Sequence, residues 1–332
     1  MRHLRSPLAL AAALLAVTAL LIVAGLSVGS AGWEPPWGAQ AAPAAIAWDI
    51  RLPRTLGAWL AGALLALAGA VAQGLFRNPL ADPYLLGSAS GAHLGVATAL
   101  VMAGSAGAAT VSAGSGLALQ LGLTGAAFVG AAMAVLVTLT LARGVQHTLR
   151  LLLAGVVVGM VLGAFSSLLT LWAPQILRAM QAFMLGTTSL IGWPAVGLMA
   201  PALLLSLGMA WACSRALDAL VLGETTARSL GLPLAGARLW LVAAIALATG
   251  AAVAQAGLVP FVGLVAPHLV RAWLRAGHRV LLPLSALAGG ALLLAADILG
   301  RGLLAPQEIP VGILTALLGG VYLLVLMQGR RA

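Results

Sequence analysis

From Pro7 to Leu326 the chain is a succession of apolar segments, interrupted only where Pro, Gly or Arg breaks the run. A bilayer core about 30 Å thick takes about 20 apolar residues as a helix. Lipid offers the backbone no hydrogen-bond partner, so a spanning segment must be helical or part of a closed barrel. Ten spans are read near Pro7–Gly29, Thr55–Phe76, Leu86–Ala103, Leu117–Leu141, Leu151–Trp172, Trp193–Cys213, Leu239–Ala256, Val262–Leu274, Leu281–Ile298 and Val311–Leu326. With 62% hydrophobic and 7% charged residues, the chain has too little polar surface for a water-soluble domain. The expected fold is an all-α membrane protein, one transmembrane domain over residues 1–332 with no soluble domain and no long linker. Ala, Gly, Ser and Thr fill nearly every span, and small residues let helix backbones pack closely in lipid. Trp172–Gly192 is predicted to hold an extra short helix outside the bilayer.

All 17 basic residues are arginines, and the missing lysine excludes whole chemistries. A phosphate-binding P-loop needs its lysine, and a Schiff-base site needs one too. The chain therefore cannot be a conventional ATP hydrolase. Cys213 is alone, so neither an intrachain disulfide nor a thiolate cluster can form. Met1–Gly32 resembles a signal peptide, but Pro7–Leu26 exceeds the usual 7–15-residue apolar region, and a retained first helix is expected.

The formal charge of +10 comes from arginines scattered between apolar spans, so it reads as topology rather than nucleic-acid binding. With the N-terminus in the cytoplasm and ten alternating spans, 13 of 17 arginines fall inside, and both termini are cytoplasmic. Four fall outside: Arg51, Arg54, Arg178 and Arg301. Arg51 and Arg54 flank Pro53 at the mouth of the second span, against the positive-inside bias.

Four stretches carry a family resemblance: "RLPRTLGAWLAGALLALAGAVAQGLFRNPLADPYLLGSASGA", "VLGETTARSLGLPL", "FVGLVAPHLVRAWLRAGHRVLLPLSALAGGALLLAADILGR" and "EIPVGILTALLGG". In this order they resemble the FecCD-type permeases, the transmembrane subunits of ABC importers for ferric siderophores, haem and cobalamin. The resemblance implies a type II ABC importer permease fold of ten helices, in a bacterial inner membrane. It also implies partners: a second permease copy in a homodimer or close heterodimer, two ATP-binding cassette ATPase subunits inside, and a periplasmic solute-binding protein outside. One departure stands in the last helix, where Gly319-Gly320-Val321-Tyr322-Leu323 replaces a Gly-x-Pro-x-Phe pattern and removes a possible kink.

The resemblance also implies site residues. Leu220–Leu234, within the connection 214–238, matches the coupling loop that sits on the ATPase, with Gly223, Glu224, Thr225, Ala227, Arg228 and Gly231 in the coupling positions. Residues 224–228 read as a short helix closed by Gly231 and Pro233; the alternative is a solvated connector. Asn78 and Leu80, in a stiff two-proline turn, match the cytoplasmic gate. Thr148 matches a second gate position, although Leu149 stands where a relative has a hydroxyl. The alternative is a plain turn capped by Asp82 and Asn78. Arg51, Arg54 and Arg301 match arginines that meet glutamates of the binding protein; lipid anchoring or a local pair with Asp49, Asp297 or Glu308 is the alternative.

Asp297 lies four residues before Arg301, on one helix face, where an ion pair can form. His93, His147, His268 and His278 show no ligand spacing on one helix, so neither a metal site nor a cofactor is expected. Two rival readings remain. A proton-coupled secondary transporter would use acids near the midplane, whereas Asp297 and Glu308 fall at the outer face. A membrane enzyme with His268 as base would lack a nearby nucleophile or second acid. No catalytic step is expected of the chain. Among cargoes, a ferric siderophore is expected on numbers alone, with haem and cobalamin close behind.

Overall fold

The computed structural model describes residues 6–29, 32–33, 44–112, 117–142, 148–229 and 232–329. Helix α1 (Pro7–Ser27) ends in a short antiparallel pair, β1 (Val28–Gly29) with β2 (Gly32–Trp33). A single turn, α2 (Ala44–Ile46), and a π-helical turn, Ala47–Arg51, feed α3 (Leu52–Phe76). A 3-10 turn, Pro83–Leu86, leads to α4 (Ser88–Ser112), followed by α5 (Leu117–Leu141) and α6 (Thr148–Trp172). Then come α7 (Leu177–Leu185), α8 (Trp193–Ala212), α9 (Ser214–Val221), α10 (Glu224–Ser229) and α11 (Leu234–Ala256). The chain closes with α12 (Val262–Trp273), α13 (His278–Gly302) and α14 (Val311–Gly329).

Among the described residues seven helices are long and apolar enough to cross a membrane: α1, α3 with its lead-in, α5, α6, α8, α11 and α13. With α4, α12 and α14 they make up the ten spans read from the sequence. Helix α14 runs unbroken through Val321. The 12-residue α12 rises only about 18 Å, too little to cross alone. The non-helical stretch 257–261 supplies the rest of the depth.

Helix α3 is the centre of the bundle. It is buried on nearly every side, whereas α1 and α6 are mostly exposed. Its partners approach at glycines. A side chain on Gly62 would come within 2.3 Å of the Gly289 carbonyl oxygen of α13, and one on Gly69 within 1.8 Å of the Gly263 carbonyl oxygen of α12. Such contacts gain dispersion energy that bulkier residues would forfeit. The Gly263 carbonyl lacks its helical donor, because Pro267 has no N–H to offer it.

Breaks inside the bundle satisfy one another. The Tyr84 hydroxyl, from the 3-10 turn, donates to the Val259 carbonyl at 3.1 Å and lies 3.4 Å from the Val259 N–H. The Leu258 N–H bonds the Phe183 carbonyl at 3.0 Å, and the Thr187 N–H bonds the Ala256 carbonyl at 2.9 Å. These bonds seat α7 against the 257–261 break. The short helix predicted outside the bilayer is thereby packed into the protein: Ile176 and Met180 are buried, and the Phe183 ring stacks on His93 of α4.

Candidate functional site

Three groups of sequence-predicted residues sit at three places. The first lies at the end of the bundle that the arginine count assigns to the exterior. Asp297, in the last turns of α13, is 2% exposed and receives donors on both oxygens. Its Oδ1 accepts from Arg54 Nη2 at 3.2 Å and from the Thr188 hydroxyl; its Oδ2 accepts from Arg301 Nη2. Arg54 reaches across as well to Glu308, with Nη1 to Oε1 at 2.8 Å and Nη2 to Oε2 at 2.9 Å. Arg301 Nη1 donates to the Gly25 carbonyl at 3.1 Å, and Arg51 Nη1 to the Leu26 carbonyl at 3.0 Å. The carbonyls at the C-terminal end of α1 have no intrahelical donor, and the two arginines satisfy them.

This geometry changes what the three arginines offer to an outside partner. Arg51 and Arg301 are buried and committed to α1, and Arg301 also to Asp297. Arg54 keeps a partly exposed guanidinium, paired with the half-exposed Glu308. The spacing of Asp297 and Arg301 announced their ion pair. The pair of Arg54 with Asp297 and Glu308 is the local pairing weighed as the alternative to docking, whereas Thr188, 109 residues from Asp297, is signalled by no local pattern.

The second group is the turn after α3. Arg77 takes the left-handed conformation, φ 50°, and the Asn78 N–H bonds the Gln73 carbonyl, closing the helix. Asn78 Oδ1 accepts from the Leu80 N–H at 3.0 Å, and Asp82 Oδ1 from the Tyr84 N–H at 2.8 Å. Asn78 and Asp82 therefore build the turn, and the Leu80 side chain projects from it, 52% exposed. Thr148 opens α6; its side chain lies outside the described residues.

The third group is the segment between α8 and α11. The short helix expected from Glu224 appears as α10, with Gly223 at φ 112° ahead of it. Ala227 is fully buried and Thr225 is exposed. Glu224 pairs with the buried Arg238 of α11, Oε2 to Nη2 at 3.2 Å. Gly231 and the Arg228 side chain lie outside the described residues. Pro233 caps the start of α11. Among the described residues no group of three His, Cys, Asp or Glu could hold a metal ion. A cavity of about 190 Å³ lies inside the bundle, lined by Val96, Leu100, Phe183, Leu190, Pro194 and Gln255 among others, with no charged residue in its wall.

Comparison with known proteins concerns the whole chain. The FecCD transport family profile matches residues 10–329. The vitamin B12 import system permease protein BtuC of Escherichia coli O9:H4 is 42% identical over 288 residues, covering 86% of this chain and 84% of its own. The BtuC protein of Klebsiella pneumoniae is 39% identical over 327 residues, covering 96% and 94%. A solved structure of a metal-chelate-type ABC transporter in an inward-facing conformation superposes with a TM-score of 0.80 at 29% identity, covering 97% of this chain and 99% of that one. PsaBC from Streptococcus pneumoniae shares the fold at a TM-score of 0.55 and 16% identity.

The network around Asp297 makes a direct prediction. Removing one partner of a buried ion pair costs about 3–5 kcal/mol, so Asp297→Ala should lower the thermal unfolding temperature in detergent sharply. Asp297→Asn keeps the acceptor oxygen toward Arg54 and Thr188 and should lose clearly less. Equal, small shifts for both variants would show that the carboxylate charge does not hold the network together.

Proposed function

The chain belongs to the FecCD transport family, and we propose that it carries cobalamin, the chelate named in its BtuC relatives, from a binding protein into the cytoplasm. That it is an ABC-importer permease of the FecCD type, a transport subunit and not a catalyst, follows from the family match. The observation that carries the cargo is the 42% identity to a vitamin B12 permease across 86% of the chain. It replaces the expectation of a ferric siderophore, which rested only on how numerous such importers are. The partners are a second copy, two ATPase subunits on the α10 side and a solute-binding protein on the Asp297 side, in a bacterial inner membrane with both termini cytoplasmic.

The internal cavity, about 190 Å³, is smaller than the roughly 300–1,000 Å³ of ordinary small-molecule pockets, and a corrinoid needs more. In this reading the path runs between two copies. The mostly exposed α6, with Leu153, Val157, Met160 and Phe165 outward, is a surface able to line or close it. Binding and hydrolysis of ATP on the partner subunits would alternate this path between outward-open and inward-open states. Thr225 and the α10 backbone would meet the ATPase; Gly223, Glu224, Ala227, Arg228 and Gly231 would shape and anchor that segment. Cyanocobalamin uptake into proteoliposomes holding the complete transporter tests the cargo. Saturable uptake undiminished by excess ferric siderophores is expected; siderophore uptake without cobalamin uptake would overturn the assignment.

At the docking face, the Arg54 guanidinium is shared between the buried Asp297 and the outer Glu308. An acidic side chain of the binding protein would take the place of Glu308 on Arg54, while Arg51 ties the start of the Arg54 helix to α1 and Arg301 ties α13 to α1. Such exchange sets encounter rate and register more than affinity. Glu308→Gln should then strengthen association with the binding protein, and Arg54→Gln should weaken it, both most visibly at low salt, where screening is least. Association that ignores both changes would leave these residues a purely internal pair.

At the inner turn, Leu80 would narrow the exit, with Asn78 holding it in place and Thr148 opposite. Leu80→Ala should raise passive leak of cyanocobalamin from loaded proteoliposomes while thermal stability holds. An unchanged leak would reduce the turn to a connection.

A further inference from the structure

The amphipathic helix α9 leads directly into α10, and it is tied to the core at one carboxylate. Asp218 Oδ1 accepts from the backbone N–H of His278 at 2.9 Å and lies 2.6 Å from His278 Nδ1. An ionised carboxylate can only accept, so Nδ1 carries the proton. The first bond caps the N-terminus of α13 from a different helix, where a negative charge also favours the helix dipole. The imidazole itself is buried, with Nε2 packed on Gly74: a side chain at Gly74 would meet Nε2 at 2.8 Å and Leu217 of α9 at 2.9 Å. Gly277 leaves room for the other carboxylate oxygen, 3.0 Å from where its side chain would begin. Three elements, α3, α9 and α13, therefore meet at one histidine.

Nothing in the sequence marks this joint, since residues 218 and 278 lie on separate elements. Its position gives it a use. Helix α13 runs from His278 to Asp297, about 28 Å along its axis, packed on α3 at Gly62 and Gly289 throughout its middle. One end is held by Asp218 beside the coupling segment; the other carries the carboxylate that organises Arg54, Arg301 and Thr188. We propose that Asp218 and His278 are positioning residues that transmit displacement of the α9–α10 segment to α13, and through α13 to the Asp297 network at the opposite face. The proposal rests on the reading of α10 as the ATPase contact. A shift of α9 pulls on the cap and on the ring together at the first residue of α13, and beyond Pro283 the close Gly62–Gly289 contact keeps α13 seated on α3. Glu224, bound to Arg238, ties α10 to α11 rather than to α13, so the Asp218 carboxylate is the link specific to α13.

The test uses the full transporter, with its ATPase and binding protein, in lipid nanodiscs. The affinity of the binding protein is compared with and without vanadate-trapped nucleotide. Site-to-site couplings typically amount to about 5–150-fold, and the wild type should fall in that range. Asp218→Ala removes both bonds and should cut the nucleotide-dependent change to below about twofold, with ATPase capture and basal hydrolysis intact. His278→Ala keeps the backbone cap and should lose part of the change. Asp218→Asn keeps the acceptor oxygen and should lose least; this ranking still tests the joint if Asp218→Ala folds poorly. A full nucleotide effect in Asp218→Ala, or a lowered unfolding temperature with coupling intact across the series, would overturn the joint and leave a structural cap. Loss of ATPase capture in Asp218→Ala would likewise overturn it, placing Asp218 in the contact itself. Absence of any nucleotide effect in the wild type is a different failure, because it removes the coupling reading on which the joint stands.

Discussion

In hydrocarbon a backbone N–H or C=O without a partner costs several kcal/mol, and the fold depends on how this chain meets that demand where its helices break. It breaks them often, at Pro83, Gly87, Gly186, Gly257 and Phe261. The breaks are not dispersed. Tyr84 from one connection reaches Val259 in another, and Leu258 pairs with Phe183 at the end of α7. Each irregular stretch is tolerated because a second irregular stretch lies against it. The breaks thus form one internal hydrogen-bonded seam, around which the regular helices α4, α11, α12 and α14 are arranged. The seam lets helices end inside the bundle with their backbone groups paired.

Much of this was legible in the sequence, and the boundary follows a physical rule. Properties carried by neighbours in the chain could be read: the apolar spans, the arginine asymmetry, the short helix from Glu224, and the i,i+4 spacing of Asp297 and Arg301. Span starts were read late, at Thr55, Leu239 and Leu281 against the observed Leu52, Leu234 and His278. The first turns carry Arg or His and dilute the apolar signal, although the helix itself tolerates them. What could not be read are pairings between distant residues. Tyr84 and Val259 are 175 residues apart and Asp218 and His278 60, while the pair of Arg54 with Asp297, 243 residues away, was weighed only as an alternative to docking. The docking of α7 could not be read for the same reason. Its sequence is that of a short amphipathic helix, and only its partners decide whether such a helix lies on the surface or within the bundle.

The resemblance pointed to particular residues, and the structure shows what their side chains touch. Asn78 was singled out as a gate residue, and its side chain holds the turn from which Leu80 projects. Glu224 was read as a polar handle, and it fastens α10 to a buried arginine. In both cases the side chain that builds the element differs from the exposed one beside it, Leu80 or Thr225. Motif matching alone does not separate them, because both are required for the element to exist.

Helix α1 is mostly exposed, yet its last carbonyls are held by two arginines of very different position in the chain. Arg51 follows Leu26 by 25 residues, whereas Arg301 follows Gly25 by 276. The helix is therefore fastened by one bond that closes a short loop and by one that closes a very long one. The Arg51 bond becomes available as soon as the turn before α3 is made, whereas the Arg301 bond, and with it the closing of the Asp297 cluster, waits for α13.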